Sequence, residues 1–418
     1  MNHSVFRSLR VRNYRLYASG QLVSLTGTWM QRVAQDWLVL QLTNSGTALG
    51  IVTALQFGPS LLLSMWGGML ADRRDKRALL LITQAALAVV ALALGVIAIT
   101  GVVQYWQVLV LATVLGVITA VDTPVRQSFV AEMVGKDDLV NAVGINSTIF
   151  NAGRVLGPAV AGVMIAAVGT GWAFIANAAS SVAVLAALAL MRTSELHPAL
   201  QVTRAPGQLR EGLRYVRRRP DLMLAMTLTF VIGTFGLNFQ LTTALFAKQV
   251  FHLDASSYGL LSTSLAVGAC VGAVLAARRV RRPSSLFLVG SAIVFALAEI
   301  LAGSMPGFVA TAVLLVPAGL ATLTFTTAAN SSVQLGVEPT MRGRVMALYL
   351  MCYMGGTPLG APMVGWVAEA FGPRWGMIGG GLICLVAAIG LGAFTARRRQ
   401  VGLAEVADRV AHPMSRAA

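Results

Sequence analysis

GINSTIFNAGRVLGPAVAG, residues 144–162, sets Arg154, Pro158 and four glycines in a segment otherwise apolar enough to be a buried helix. In a soluble domain these choices are ordinary, because proline and glycine break helices and arginine faces water. In a bilayer each needs a reason. An arginine at mid-membrane costs at least about 2.5–3.5 kcal/mol, and every unsatisfied backbone group adds to the cost. The solvent around this segment therefore decides the fold.

Composition points to lipid. Of the 418 residues, 56% are hydrophobic and 11% charged, a balance that a soluble domain of this size has no interior to hide. Twelve apolar stretches fall near 16–42, 46–71, 79–99, 106–122, 141–167, 172–191, 222–248, 256–277, 285–303, 307–332, 345–370 and 375–396. Each is close to the roughly 20 residues that cross ~30 Å of hydrocarbon as a helix. The expected fold is an all-α integral membrane protein with twelve transmembrane helices. No cleavable signal is expected, since the first apolar run is too long and has no small-residue cleavage site.

The net charge of +16 raises nucleic acid as a partner, and the position of the charges argues against it. With both termini taken as cytoplasmic, 28 of the 32 Lys and Arg residues lie on that side, the positive-inside bias of a multi-pass membrane protein. The expected partner is the lipid bilayer. Cys270, Cys352 and Cys384 all fall within spans and form no C-x-x-C pair, so buried core thiols are expected, without disulfide, metal or cofactor.

The longest polar stretch, 192–221, separates a bundle at 1–191 from one at 222–396, with a tail at 397–418. Within the stretch, QLREGLRYVRRRPDL reads as a basic amphipathic helix lying on the anionic inner leaflet. The two halves echo one another. GGMLADRRDKR at 67–77 aligns without gaps on GAVLAARRVRR at 272–282, and LGPAVAG at 156–162 on LGAPMVG at 359–365. Repeats of this kind, related by an axis along the membrane normal, build alternating-access carriers.

Here the chain resembles the major facilitator superfamily over nearly its whole length. Gly68, Asp72, Arg73, Lys76 and Arg77 fit that superfamily's loop between spans two and three, with Asp75 where a second glycine is expected. The resemblance implies a conformational latch in which Asp72 accepts from a facing helix N-terminus and Lys76 pairs with Asp122; a plain topology anchor is the alternative. Gly144, Gly153, Gly157, Pro158 and Gly162 resemble the fifth-span signature of drug and proton antiporters, with Ala161 replacing one glycine. Those glycines make a smooth face for a partner helix of the other half, and Pro158 bends the helix. Ordinary small-residue packing is the alternative. The fourth-span arginine usual in proton antiporters is absent, with Ala112 in its place. FRSLRVRNYRLYASG, WMQRVAQDWLVLQLT, DTPVRQSFVAEMVGKDDLVNAV and RGRVMALY are similar to the branch that includes enterobactin and macrolide exporters.

Buried charge supplies the candidate site. Arg32 and Asp36, at i and i+4, share a helix face and are expected to pair. With Arg154 they form one network, in which Asp36 either couples protons or only positions helices. Glu299 is the second proton candidate, although it and Glu369 are expected near the outer interface. Polar residues in spans that resemble cavity-lining ones are Gln35, Gln56, Asn146, Asn151, Asn238, Gln240 and Asn330, among Trp29, Phe57, Phe150, Phe235 and Tyr349. Aromatic walls with sparse polar groups suit large amphiphiles. No H-E-x-x-H, G-x-S-x-G or G-x-x-x-x-G-K-[ST] occurs, so no enzyme is expected. The expected function is export of an amphiphilic drug, siderophore or metabolite across a bacterial inner membrane, in exchange for protons and by a monomer. An importer or facilitator of a dedicated metabolite, and a non-transporting scaffold or sensor, remain as alternatives.

Overall fold

The computed structural model describes residues 6–197, 208–278 and 282–411. Fourteen α-helices make up these residues: α1 Arg12–Thr43, α2 Gly46–Arg73, α3 Lys76–Ile99, α4 Tyr105–Val134, α5 Leu139–Val168, α6 Thr170–Ala189, α7 Gln208–Arg217, α8 Pro220–Val231, α9 Phe239–Leu245, α10 Ala255–Ala277, α11 Ser285–Ser304, α12 Phe308–Gly336, α13 Pro339–Phe371 and α14 Pro373–Ala411. The helix starts are written in the sequence. The side chains of Ser45, Asp75, Asp254 and Ser284 accept from the backbone three residues on, and Pro220 and Pro339 occupy first turns.

Ten spans are long and apolar enough to cross a membrane, with α8, α9 and two π-helical turns, Ile232–Gly236 and Phe246–Val250, counted as one. Helices α1 and α13 are as long but more polar. Helix α1 carries Gln21, Gln31, Arg32, Gln35 and Asp36 in its inward-facing half. Helix α4 runs on to Val134, so Asp122, Arg126 and Glu132 stand on a helix where a loop was expected. The tail expected from 397 continues α14 to Ala411, and 412–418 lie outside the described residues.

Two pseudo-equivalent halves meet through a reciprocal contact: α2 packs on α13, and α10 packs on α5. The repeated LGPAVAG and LGAPMVG segments are the contact motif on α5 and α13. A methyl on Gly259 of α10 would lie 2.5 Å from the Pro158 carbonyl oxygen, and one on Gly50 of α2 would lie 2.7 Å from Pro362 Cα. Corresponding corners also match. Gly169 after α5 and Gly372 after α13 both take positive φ, 91° and 103°, where a side chain would be strained.

The linker helix packs one side against the second half. Val216 is buried, Gly212 sits against Arg344, and Glu211 pairs with Arg344 at 2.8 Å. Helix α7 is thus docked on α13, its basic residues turned outward; the rest of the stretch, 198–207, lies outside the described residues.

Candidate functional site

A cavity of about 640 Å³ opens within the first half. Its walls come from all six of that half's long helices and include Trp29, Gln56, Asn146 and Asn151, four of the residues expected there. The lining extends to Val130 and Val143, one to two turns from the facing ends of α4 and α5. The cavity therefore reaches toward the end of the molecule that carries the α2–α3 turn. A smaller pocket in the second half is lined by Thr326, Thr327, Asn330, Ser331, Tyr349, Leu350 and Tyr353. Arg154, one turn beyond Phe150 and Asn151, lies near Tyr353 of that second wall and near Cys270.

At the opposite end, around the α1–α2 turn, the halves are shut against each other. Tyr258 of α10 donates its hydroxyl to Asp36 Oδ2 at 2.7 Å, and its ring stacks on Trp37. Glu369 of α13 accepts from Ser45 Oγ at 2.6 Å and from the Thr47 amide at 3.0 Å. Lys248 donates to the Leu40 carbonyl, and Gln249 to the Asn44 carbonyl. Glu369 thus does lie at an exposed edge, but it bridges the halves.

The expected Arg32–Asp36 pair is not formed. Asp36 turns to Tyr258, while the Arg32 guanidinium lies over the Trp29 ring at 4.5 Å and beside Phe57 at 5.4 Å. Its Nε is buried without a hydrogen-bond partner among the described residues. The i, i+4 relation brought the two onto one face, but a phenol from the other half competes for the carboxylate and an aromatic face for the guanidinium. Arg32 still senses Asp36, Arg126 and Arg154 electrostatically.

Glu299 is also placed differently from expectation. It is 2% exposed inside the second half, beside Gly380 and Cys384, and its Oε2 has no hydrogen-bond partner. It is a core carboxyl where an interfacial one was expected, because α11 turns this face onto α14. Asn238 and Gln240 line neither cavity. Asn238 bonds back to the Thr234 carbonyl at 2.7 Å within the π-interrupted span.

The loop latch is rearranged too. Lys76 pairs with Glu132, at 2.5 Å, and not with Asp122. Asp122 is fully buried and accepts from Thr83 at 2.8 Å, Gln84 at 2.7 Å and Arg126 one turn on. Lys76 does not reach it because Arg126, at i+4 on the same helix, takes the carboxylate first. Arg77 donates to the Leu188 and Ala189 carbonyls at the end of α6, where the helix dipole favours a cation. Asp75, standing in the glycine position, caps α3 through the Ala78 amide. Among the described residues Asp72 has no bonded partner; Gly68 is buried and Arg73 exposed. These contacts all stay within the first half.

The fifth-span signature divides between two partners. Gly153 and Gly157 press on Leu25, Thr26 and Trp29 of α1, in the same half. Only Pro158 and Gly162 meet the other half, at Gly259 and Ser256. Gly144 is exposed and faces open space. The expectation of one smooth face for a helix of the other half therefore holds for its last turn alone.

Sequence reasoning missed Arg126, Tyr258 and the pair formed by Gln31 and Asn177. The Asp122–Arg126 spacing was available to the same i, i+4 rule used for Arg32 and Asp36. Nothing local marks Tyr258, whose partner lies 222 residues away.

Comparison with known proteins agrees with this geometry. The staphyloferrin A transporter of Staphylococcus aureus is 25% identical over 371 residues, 86% of this chain and 90% of that protein. The enterobactin exporter EntS of Shigella flexneri is 23% identical over 398 residues, covering 93% and 94%. Among solved structures, an inward-facing, unoccupied bacterial homologue of the human lysosomal transporter Spinster superposes with a TM-score of 0.74 at 16% identity, covering 91% of this chain and 96% of that one. The nucleoside transporter NupG gives 0.72 at 12% identity, covering 91% and 98%. The relatives are transporters, and the fold is that of the major facilitator superfamily. The family described as transmembrane secretion effector matches residues 3–413, and this chain, a multi-span membrane transporter, belongs to that family.

Proposed function

We propose that this transporter exports an amphiphilic small molecule across the bacterial inner membrane by alternating access, in exchange for protons. In this reading α1 and α13 cross the membrane with the ten apolar spans, giving twelve, and both termini face the cytoplasm. The cavity then opens to the cytoplasm and the shut end faces outward. The names of the two siderophore relatives favour a siderophore or similar metabolite as cargo. The chain works as a monomer.

One observation carries the reading: a buried carboxyl, Asp36, is bonded across the shut end to Tyr258 of the other half. A hydrogen bond to an ionised carboxylate is roughly twice as strong as a neutral one. A proton arriving at Asp36 weakens the bond that holds this end closed, which links proton entry to opening. Loss of that proton to the cytoplasmic side resets the carrier.

The test is dye uptake into inverted vesicles under a proton gradient, using ethidium and carboxyfluorescein in turn, for wild type and Asp36→Asn. Uptake of one dye that collapses with a protonophore and falls at least about tenfold in the variant is expected. Protonophore-resistant uptake, or a variant with unchanged uptake, sinks the coupling.

A further inference from the structure

Among the described residues, the charged side chains lining the first-half cavity are two arginines, Arg32 and Arg126, and no carboxylate lines it. Arg126 is already neutralised by Asp122, which sits behind it with no exposure. Among the described residues Arg32 has no bonded carboxylate, although Asp36 one turn on acts on it electrostatically. Its carboxylate neighbour on α1 is bonded to Tyr258, its Nε is buried without an acceptor, and its contacts are the rings of Trp29 and Phe57. A guanidinium held among apolar groups calls for a counter-charge.

The neighbouring amides favour neither sign of charge. Gln56 accepts through Oε1 from Gln35 at 3.0 Å and Gln31 through Oε1 from Asn177, whereas Gln84 and Asn151 donate their NH2 groups to Asp122 and to the Ser147 carbonyl. The charge of this wall is therefore set by Arg32. The facing pocket of the second half carries hydroxyls, an amide and no charge.

We infer that the cavity selects an amphiphilic carboxylate: the anion docks on Arg32, and its apolar body lies against Trp29 and Phe150. The planar guanidinium fork matches a carboxylate in two parallel hydrogen bonds. A lipophilic cation meets the opposite arrangement, a positive charge with no lining carboxylate to offset it. This rests on the transporter reading and names the charge class of its cargo.

Two dyes with one xanthene frame and opposite charge separate the possibilities: carboxyfluorescein, an anion at neutral pH, and rhodamine 123, a cation. Binding to the full-length protein in lipid nanodiscs, without any gradient, is followed by fluorescence anisotropy. Carboxyfluorescein is expected to bind at least about tenfold more tightly than rhodamine 123. Arg32→Gln is expected to remove that preference by weakening only the anion, and Arg32→Lys to restore part of it. Equal binding of the two dyes, absence of binding by both, preference for rhodamine 123, or unchanged carboxyfluorescein affinity in Arg32→Gln each overturns the inference. The wild-type comparison stands even if a variant fails to fold. Because no gradient is present, the result is independent of direction and coupling, so selective binding together with protonophore-resistant flux would refute the coupling and leave the selectivity intact.

Discussion

Tyr258 and Asp36 lie 222 residues apart in sequence and are joined at 2.7 Å between the two halves of the molecule. Both are buried, and the stack of Tyr258 on Trp37 fixes the phenol's direction. The bond makes the shut end a chemical junction as well as a packed one.

Removing the hydroxyl should loosen that end without emptying the core. Tyr258→Phe leaves Asp36 buried with one donor fewer, a cost of about 1–3 kcal/mol to the closed arrangement. Spin labels at Leu42 and Phe371, both exposed, in a background lacking the three native cysteines, should report a longer mean separation by pulsed electron resonance. An unchanged distance distribution would show that the bonds of Glu369, Lys248 and Gln249 and the glycine contacts hold the end shut without it.

The Lys76–Glu132 pair is nearly buried, with side chains 11% and 13% exposed. Breaking one side of such a pair is expected to cost about 3 kcal/mol. A double-mutant cycle with Lys76→Met and Glu132→Gln, read by thermal unfolding in detergent, should show coupling of about 1 kcal/mol or more. The cycle of Lys76→Met with Asp122→Asn should be additive, because Asp122 belongs to Arg126.

A glycine of the fifth-span signature and the α10 glycine that packs against that signature should respond in opposite ways. Gly144→Ala points into open space and should alter stability by less than about 0.5 kcal/mol with transport retained. Gly259→Val would press on the Pro158 carbonyl and Gly162 and should abolish transport by prising the halves apart. Loss of transport in Gly144→Ala would restore the signature as a single functional unit.

Glu299 has a buried carboxyl oxygen with no partner, an arrangement that costs stability in a membrane core. Glu299→Gln should raise the unfolding temperature by a few degrees, on the order of 1 kcal/mol, and leave protonophore-sensitive uptake in place. Collapse of uptake in this variant would move the proton site to the second half.

The helices were legible because hydropathy over a span-length window is a property of local sequence, and each of the twelve apolar stretches lies on an observed helix or interrupted helix. Direct repeats were legible for the same reason; the LGPAVAG and LGAPMVG copies form the contact between halves, whereas the loop copies pack each within its own half. Partner choice was not. Asp36 had Arg32 one turn away and took Tyr258; Lys76 had Asp122 in view and took Glu132. A helical repeat states which side chains share a face, but competing groups from other helices decide which of them bond. Glu299 was misplaced because depth along a helix was read from sequence while rotation about its axis was not.

The halves touch through bare backbone where α10 crosses α5 and α2 crosses α13. Such a contact has almost no compressible side chain in it, so it behaves as a fulcrum. From the fulcrum at Gly50 and Gly259 the helices run about 27–35 Å to their far ends, and a tilt of roughly 10° moves those ends by about 5–6 Å. A displacement of that size, about the rise of one helical turn, is gained with hardly any change at the pivot, and adding a single methyl group there removes the leverage.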